Sequence, residues 1–69
     1  MLETAEKIKA WLLQNGYTVT ERPHGNKTGI RVSMGDINFN VRKEDRFEGY
    51  KEVVRMIREV NNRRRKGRL

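Results

Sequence analysis

Between residues 30 and 41, apolar side chains fall on every second position: Ile30, Val32 and Met34, then Ile37, Phe39 and Val41. Arg31, Ser33, Asn38 and Asn40 fill the gaps, and Gly35-Asp36 joins the two halves. A period of two belongs to a strand, whose successive side chains point to opposite faces. Gly-Asp between two such runs signals a two-residue hairpin, with glycine at the first central position where a II′ turn needs positive φ. That turn sets the pairing: Met34 with Ile37, Val32 with Phe39, Ile30 with Val41. Every apolar residue then faces an apolar one, so turn chemistry and hydrophobic pattern specify the same register. A hairpin with one apolar face is marginal in water by itself and needs a cover.

The flanking segments supply it. Residues 3–15 read as a helix, with Ala5, Ile8, Trp11 and Leu12 at helical spacing, Leu2 and Leu13 on the flank of the stripe, and Asn15-Gly16 as the stop. Residues 17–22 alternate as a strand, with Tyr17, Val19 and Glu21 on one face and Thr18, Thr20 and Arg22 on the other. Pro23 is expected to end it, leaving 23–29 as a loop. Residues 46–62 read as a second helix, opened by Asp45 as N-cap with Glu48 three residues on. Its apolar stripe is Phe47, Tyr50, Val53, Val54, Ile57 and Val60, with Met56 at the margin; Gly49 is a mild penalty inside it. Glu52–Arg55, Arg55–Glu59 and Glu59–Arg63 are spaced to pair across its outer side. The expected fold is α+β in the order α-β-β-β-α: a three-stranded antiparallel sheet with both helices packed on one face and the other face in water. Residues 1–62 form the single domain that 69 residues allow.

Charge is unevenly spread. The chain carries a net +7, and Arg63, Arg64, Arg65, Lys66 and Arg68 supply five of its 16 basic side chains. Residues 1–62 keep 11 basic against 9 acidic groups, a net +2. The reading is therefore a nearly balanced body with a cationic tail, 63–69, expected to be disordered by self-repulsion. Such a tail attracts polyanions through counterion release and carries no sequence information by itself. Residues 17–43 hold five basic and two acidic groups, a second and smaller excess.

Several function classes fall away. There is no cysteine and one histidine, so neither a thiolate nor a His-His metal site is available, and no cofactor is expected. No stretch approaches the roughly 18 apolar residues of a membrane span, and the charged N-terminus lacks the apolar core of a signal peptide. A cytoplasmic protein is expected, without a membrane partner or an evident small-molecule substrate.

What remains is a set of basic side chains. The water-facing side of the sheet would present Arg22, Arg31 and Arg42 among threonines, a serine and asparagines. It has no Phe, Tyr or Trp on which bases could stack, so phosphate contact is the chemistry it offers, unless it is simply a solvated face. Lys27 and Lys43 flank it. His24, in the expected loop, is the weak candidate for acid–base catalysis against the plainer reading of a surface histidine. Trp11 reads as core, with partner anchoring as the alternative.

The element order, with Gly16-Tyr17 after the first helix and Arg22-x-x-Gly25 after the first strand, resembles the HicA family of mRNA-interferase toxins, which share a fold like that of double-stranded-RNA-binding domains. The resemblance spans roughly residues 8–42 and implies an RNA-binding type of scaffold. At the family's Gly-Ser-His turn this chain has Gly25-Asn26-Lys27, with its histidine three residues early, so the family's catalytic histidine has no counterpart. The leading expectation is a small non-enzymatic module that binds RNA or DNA through Arg22, Lys27, Arg31, Arg42, Lys43 and the tail residues Arg63, Arg64, Arg65, Lys66 and Arg68. The alternatives are a small protein-interaction or inhibitor protein of the phage or plasmid type, and a ribonuclease using His24.

Overall fold

The computed structural model describes residues 3–67, with side chains through Arg63. The elements are α1 (Ala5–Gln14), β1 (Thr18–His24), β2 (Lys27–Met34), β3 (Ile37–Lys43) and α2 (Arg46–Gly67). The fold is α-β-β-β-α, an α+β architecture with an antiparallel sheet in the order β1-β2-β3. The second hairpin has the register read from its pattern: Ile30↔Val41, Val32↔Phe39 and Met34↔Ile37, around Gly35 at φ +60°.

Both helices lie on one face. α2 packs on β3, β2 and α1, and α1 packs on β1. Ile8 and Leu12 of α1, Ile30 and Val32 of β2, and Tyr50 and Val53 of α2 are fully buried, with Phe39, Val41, Val54 and Ile57 around them. Each fully buried aliphatic or aromatic side chain contributes about 1.5–3 kcal/mol relative to leaving it in water. Trp11, Met56 and Val60 are half-buried against this core.

The helix ends are chemically specified. The Thr4 hydroxyl accepts from the Lys7 N–H at 3.1 Å, and an Asp45 carboxylate oxygen accepts from the Glu48 N–H at 3.1 Å. α1 stops as its sequence implied: the Tyr17 N–H donates to the Leu12 carbonyl and the Gly16 N–H to the Leu13 carbonyl, with Gly16 at φ +88°. That bond pair is a Schellman cap. α2 runs on to Gly67 instead of stopping at 62. Arginine and lysine are good helix formers, each added residue gains one backbone hydrogen bond, and positive charge suits a helix C-terminus.

Three other expectations change. Residues 23–29 are not a loop: β1 continues through Pro23 to His24 and β2 begins at Lys27, so Gly25-Asn26, with Gly25 at φ +64°, is a second two-residue hairpin link. Pro23 is tolerated because β1 is an edge strand and hydrogen-bonded pairs alternate. A two-residue link is closed by its flanking pair, here His24↔Lys27, so the next residue, Pro23, turns its nitrogen to the free edge. Met34 is 39% exposed and Leu13 52%, although one belongs to an apolar alternation and the other flanks an apolar stripe.

Gly49 is more than a propensity penalty. A Cβ there would stand 2.7 Å from Cδ1 of the buried Ile30, so that methyl occupies the space an alanine side chain would need. An exposed helical Gly→Ala change is expected to stabilise by up to about 1 kcal/mol. Here Gly49→Ala is expected to destabilise in urea denaturation. Ile30→Val, which removes the obstructing methyl, is expected to reverse the sign of the Gly49→Ala effect in a double-mutant cycle. A stabilising Gly49→Ala in the wild-type background would show that the Ile30 side chain gives way at little cost.

Candidate nucleic-acid interface

The register aligns the polar residues of the uncovered face in rows across the sheet. Thr18, Ser33 and Asn38 form one row, Thr20, Arg31 and Asn40 the next, then Arg22, Gly29 and Arg42, with His24 opposite Lys27 at the hairpin end. Arg22, Arg31 and Arg42 are exposed and lie in two adjacent rows. The structure thus brings together three basic residues singled out from the sequence, with Lys27 beside them. Lys43 falls out of this group: it pairs across from Thr28, and its Cβ lies near Gly49, on the helix side. Arg63 is on the C-terminal part of α2, away from the sheet rows, and the side chains of Arg64, Arg65, Lys66 and Arg68 lie outside the described residues.

His24 was expected in a loop and instead ends β1 on the open face. Its ring lies over Gly29: a Cβ at Gly29 would stand 2.5 Å from His24 Cδ2 and 3.0 Å from Nε2. Gly29 is buried, though it belongs to the water-facing rows. Thr20, Arg22, His24, Gly29, Arg31, Asn40 and Arg42 line a shallow recess of about 300 Å³. The sequence signal for this placement was Gly25-Asn26, a hairpin link of the same Gly-X form as Gly35-Asp36. Pro23 and the lack of apolar alternation around it masked the signal.

The electrostatics separate the two faces. The one carboxylate within the strands, Glu21, points to the helix side. Arg46 grips it in a fork, Nε to Oε1 at 2.7 Å and Nη2 to Oε2 at 2.8 Å; the Tyr50 hydroxyl donates to Oε2 at 2.6 Å, and Lys9 Nζ lies 3.9 Å away. Arg46 also pairs with Glu6 of α1. Hydrogen bonding from Arg46, reinforced by Tyr50 and opposed by desolvation, lowers the Glu21 carboxyl from 4.5 to about 2. Burial, followed by the bond to Glu21, raises the Tyr50 phenol well above its usual range. On the outer side of α2, Arg55 is paired with Glu52 and Glu59, and Lys51 with Glu48. Among the described residues, Arg22, Arg31, Arg42 and Lys27 form no ion pair. The guanidiniums of Arg46 and Arg55 are neutralised and those of the open face are not. Among the described residues no cluster of His, Asp and Glu could hold a metal, and no helix is long and apolar enough to cross a membrane.

No family model, no curated protein and no solved structure matches this chain.

The Glu21 cluster makes a testable link between charge and folding. Its folded-state pKa is depressed, so its contribution is full above about pH 4.5 and is lost as pH falls through about 2. Glu21→Gln is expected to lower stability by about 1–2 kcal/mol at neutral pH, through the lost fork to Arg46. The gap between wild type and variant should close progressively in acid titrations followed by circular dichroism. A gap that persists unchanged to pH 2 would mean the carboxylate's charge is not what the fork uses.

Proposed function

We propose that this chain is a non-enzymatic nucleic-acid-binding module that grips phosphates with the open face of its sheet. The observation that supports this best is the set Arg22, Arg31 and Arg42, exposed, close together and without a carboxylate partner among the described residues. A guanidinium presents a fork of donors that matches phosphate oxygens, and two neighbouring rows of such forks suit successive phosphates of one strand. Lys27 adds charge at the hairpin end, and the basic run after Asn62 adds reach and on-rate. The resemblance to HicA-type chains points to the same class of partner, RNA. His24 does not serve as a catalyst in this reading: Thr20, Arg22, Arg31 and Asn40 around its recess include no carboxylate, thiol or second histidine to act with it.

A second reading, a protein-interaction module, draws on Leu13 and Met34, the two large apolar residues left exposed among the described residues. A partner retained from nuclease-treated lysate, and released on changing Leu13 and Met34 to Ser, would favour it.

The test of the first reading is fluorescence anisotropy with labelled RNA and DNA across a salt series. Replacing Arg22, Arg31 and Arg42 together by Ala is expected to weaken binding and to reduce the slope of log affinity against log salt by up to about 3, near one unit for each phosphate no longer held. A chain ending at Asn62 should keep any preference for one nucleic acid while binding more weakly. Unchanged affinity in the triple variant would rule out the sheet face as the grip. Loss of all binding on truncation would reduce the basic run to a generic cation.

A further inference from the structure

The exposed rows hold no Phe, Tyr or Trp, yet one flat ring, that of His24, lies over their glycine. His24 rests where the side chain of residue 29 would stand, and only glycine leaves that space: an alanine Cβ would be 2.5 Å from the ring and 3.2 Å from the Arg22 carbonyl oxygen. Gly29 is buried, although the rows on either side of it are open to water. The recess around it has Arg22 and Arg42 on either side of Gly29, with Arg31 and the hydrogen-bonding side chains of Thr20 and Asn40 in the next row. At about 300 Å³ it reaches the lower end of the range of small-ligand sites, room for one nucleotide rather than for a duplex groove edge. Imidazole and guanidinium planes both stack on unpaired bases.

From this we infer that the recess is a one-nucleotide subsite for a single-stranded nucleic acid. One base stacks on the His24 ring, Arg22, Arg31 and Arg42 hold the adjoining phosphates, and Thr20 and Asn40 meet the base edge. The inference rests on the phosphate-binding reading and adds to it a dependence on the bases themselves. A duplex cannot satisfy it, because its bases are stacked on each other and their faces are not free.

The test separates base from phosphate. The full chain is titrated at one salt concentration against a labelled single-stranded DNA of about 12 nucleotides, within the usual site size of small binders, and against the same strand with abasic sites throughout its central part. The phosphates are the same in both. The wild type should prefer the base-bearing strand by at least about 5-fold, the lower bound for stacking on one side chain. His24→Ala and Gly29→Ala should both erase that preference with little change toward the abasic strand, and His24→Trp should restore it. The matching duplex should bind less tightly than the base-bearing single strand. Equal wild-type affinity for the two strands, or a preference that survives His24→Ala, overturns the subsite. If Arg22→Ala/Arg31→Ala/Arg42→Ala still weakens binding to both strands in that case, the phosphate reading stands without it. If that triple variant binds like wild type, the phosphate reading falls and takes the subsite with it.

Discussion

A three-stranded sheet in a chain this short has apolar residues enough for only one of its faces, and most of the molecule follows from that limit. Ile30, Val32, Phe39 and Val41 share one side and are buried, so both helices must pack there. With both covers on one side, the other face keeps its polar rows in water. That face is not neutral, because the strand carboxylate lies on the covered side. Glu21 is held by Arg46 and Tyr50 of α2 and approached by Lys9 of α1, so it ties β1 to both helices. Had the register of β1 slipped by one residue, Glu21 would stand on the open face and cancel part of its charge. The same pairing that buries the core thus leaves the arginines unneutralised.

Two neighbouring residues of β2 show how closely the two faces are coupled. Ile30 points to the helices and meets the gap left by Gly49; Gly29 points to solvent and leaves the gap that His24 fills. Each contact depends on a missing Cβ. On the covered side the Ile30 methyl takes the space beside Gly49, next to Tyr50 and one turn along α2 from Arg46, the two residues that hold Glu21. On the open side it leaves room for the ring of a histidine beside a turn to lie over the sheet. A glycine that merely weakened a strand or a helix would be a cost without return. Here both are places where another group comes close.

How much of this was legible in the residues depended on whether the signal was local. The Gly35 hairpin could be read in full because its apolar alternation and its turn agree. The caps at Thr4 and Asp45 and the stop at Gly16 rest on short-range chemistry: Asp45 and Gly16 were read as cap and stop, and Thr4 took the N-cap role inside a segment read as helical from residue 3. The first hairpin was hidden, because Pro23 reads as a break unless the strand is known to lie at an edge, and edge position is a property of the sheet. His24 therefore read as a loop residue. Its place on the basic face, the helix-side position of Lys43 and the role of Gly49 all depend on which elements pack together, and no window of neighbouring residues carries that. Glu21 was legible as a core-side residue by parity, but its partner Arg46 lies 25 positions away.

The two basic regions differ in what they can contribute. A run of like charges on the last part of a helix attracts any polyanion, and its pull fades within about 10 Å at 0.1 M salt. It sets how often an encounter occurs and adds affinity that salt removes. Side chains fixed on a sheet are different. Arg22 and Arg42 are placed by backbone pairing on either side of Gly29, so the spacing of the points from which they reach out is set by the strands. Fixed spacing discriminates: it rewards a ligand whose charges match and leaves others with one arginine satisfied and the next empty-handed. If the molecule tells one nucleic acid from another, that distinction has to arise on the sheet, with the C-terminal charge deciding how often encounters occur and how much of the affinity salt removes.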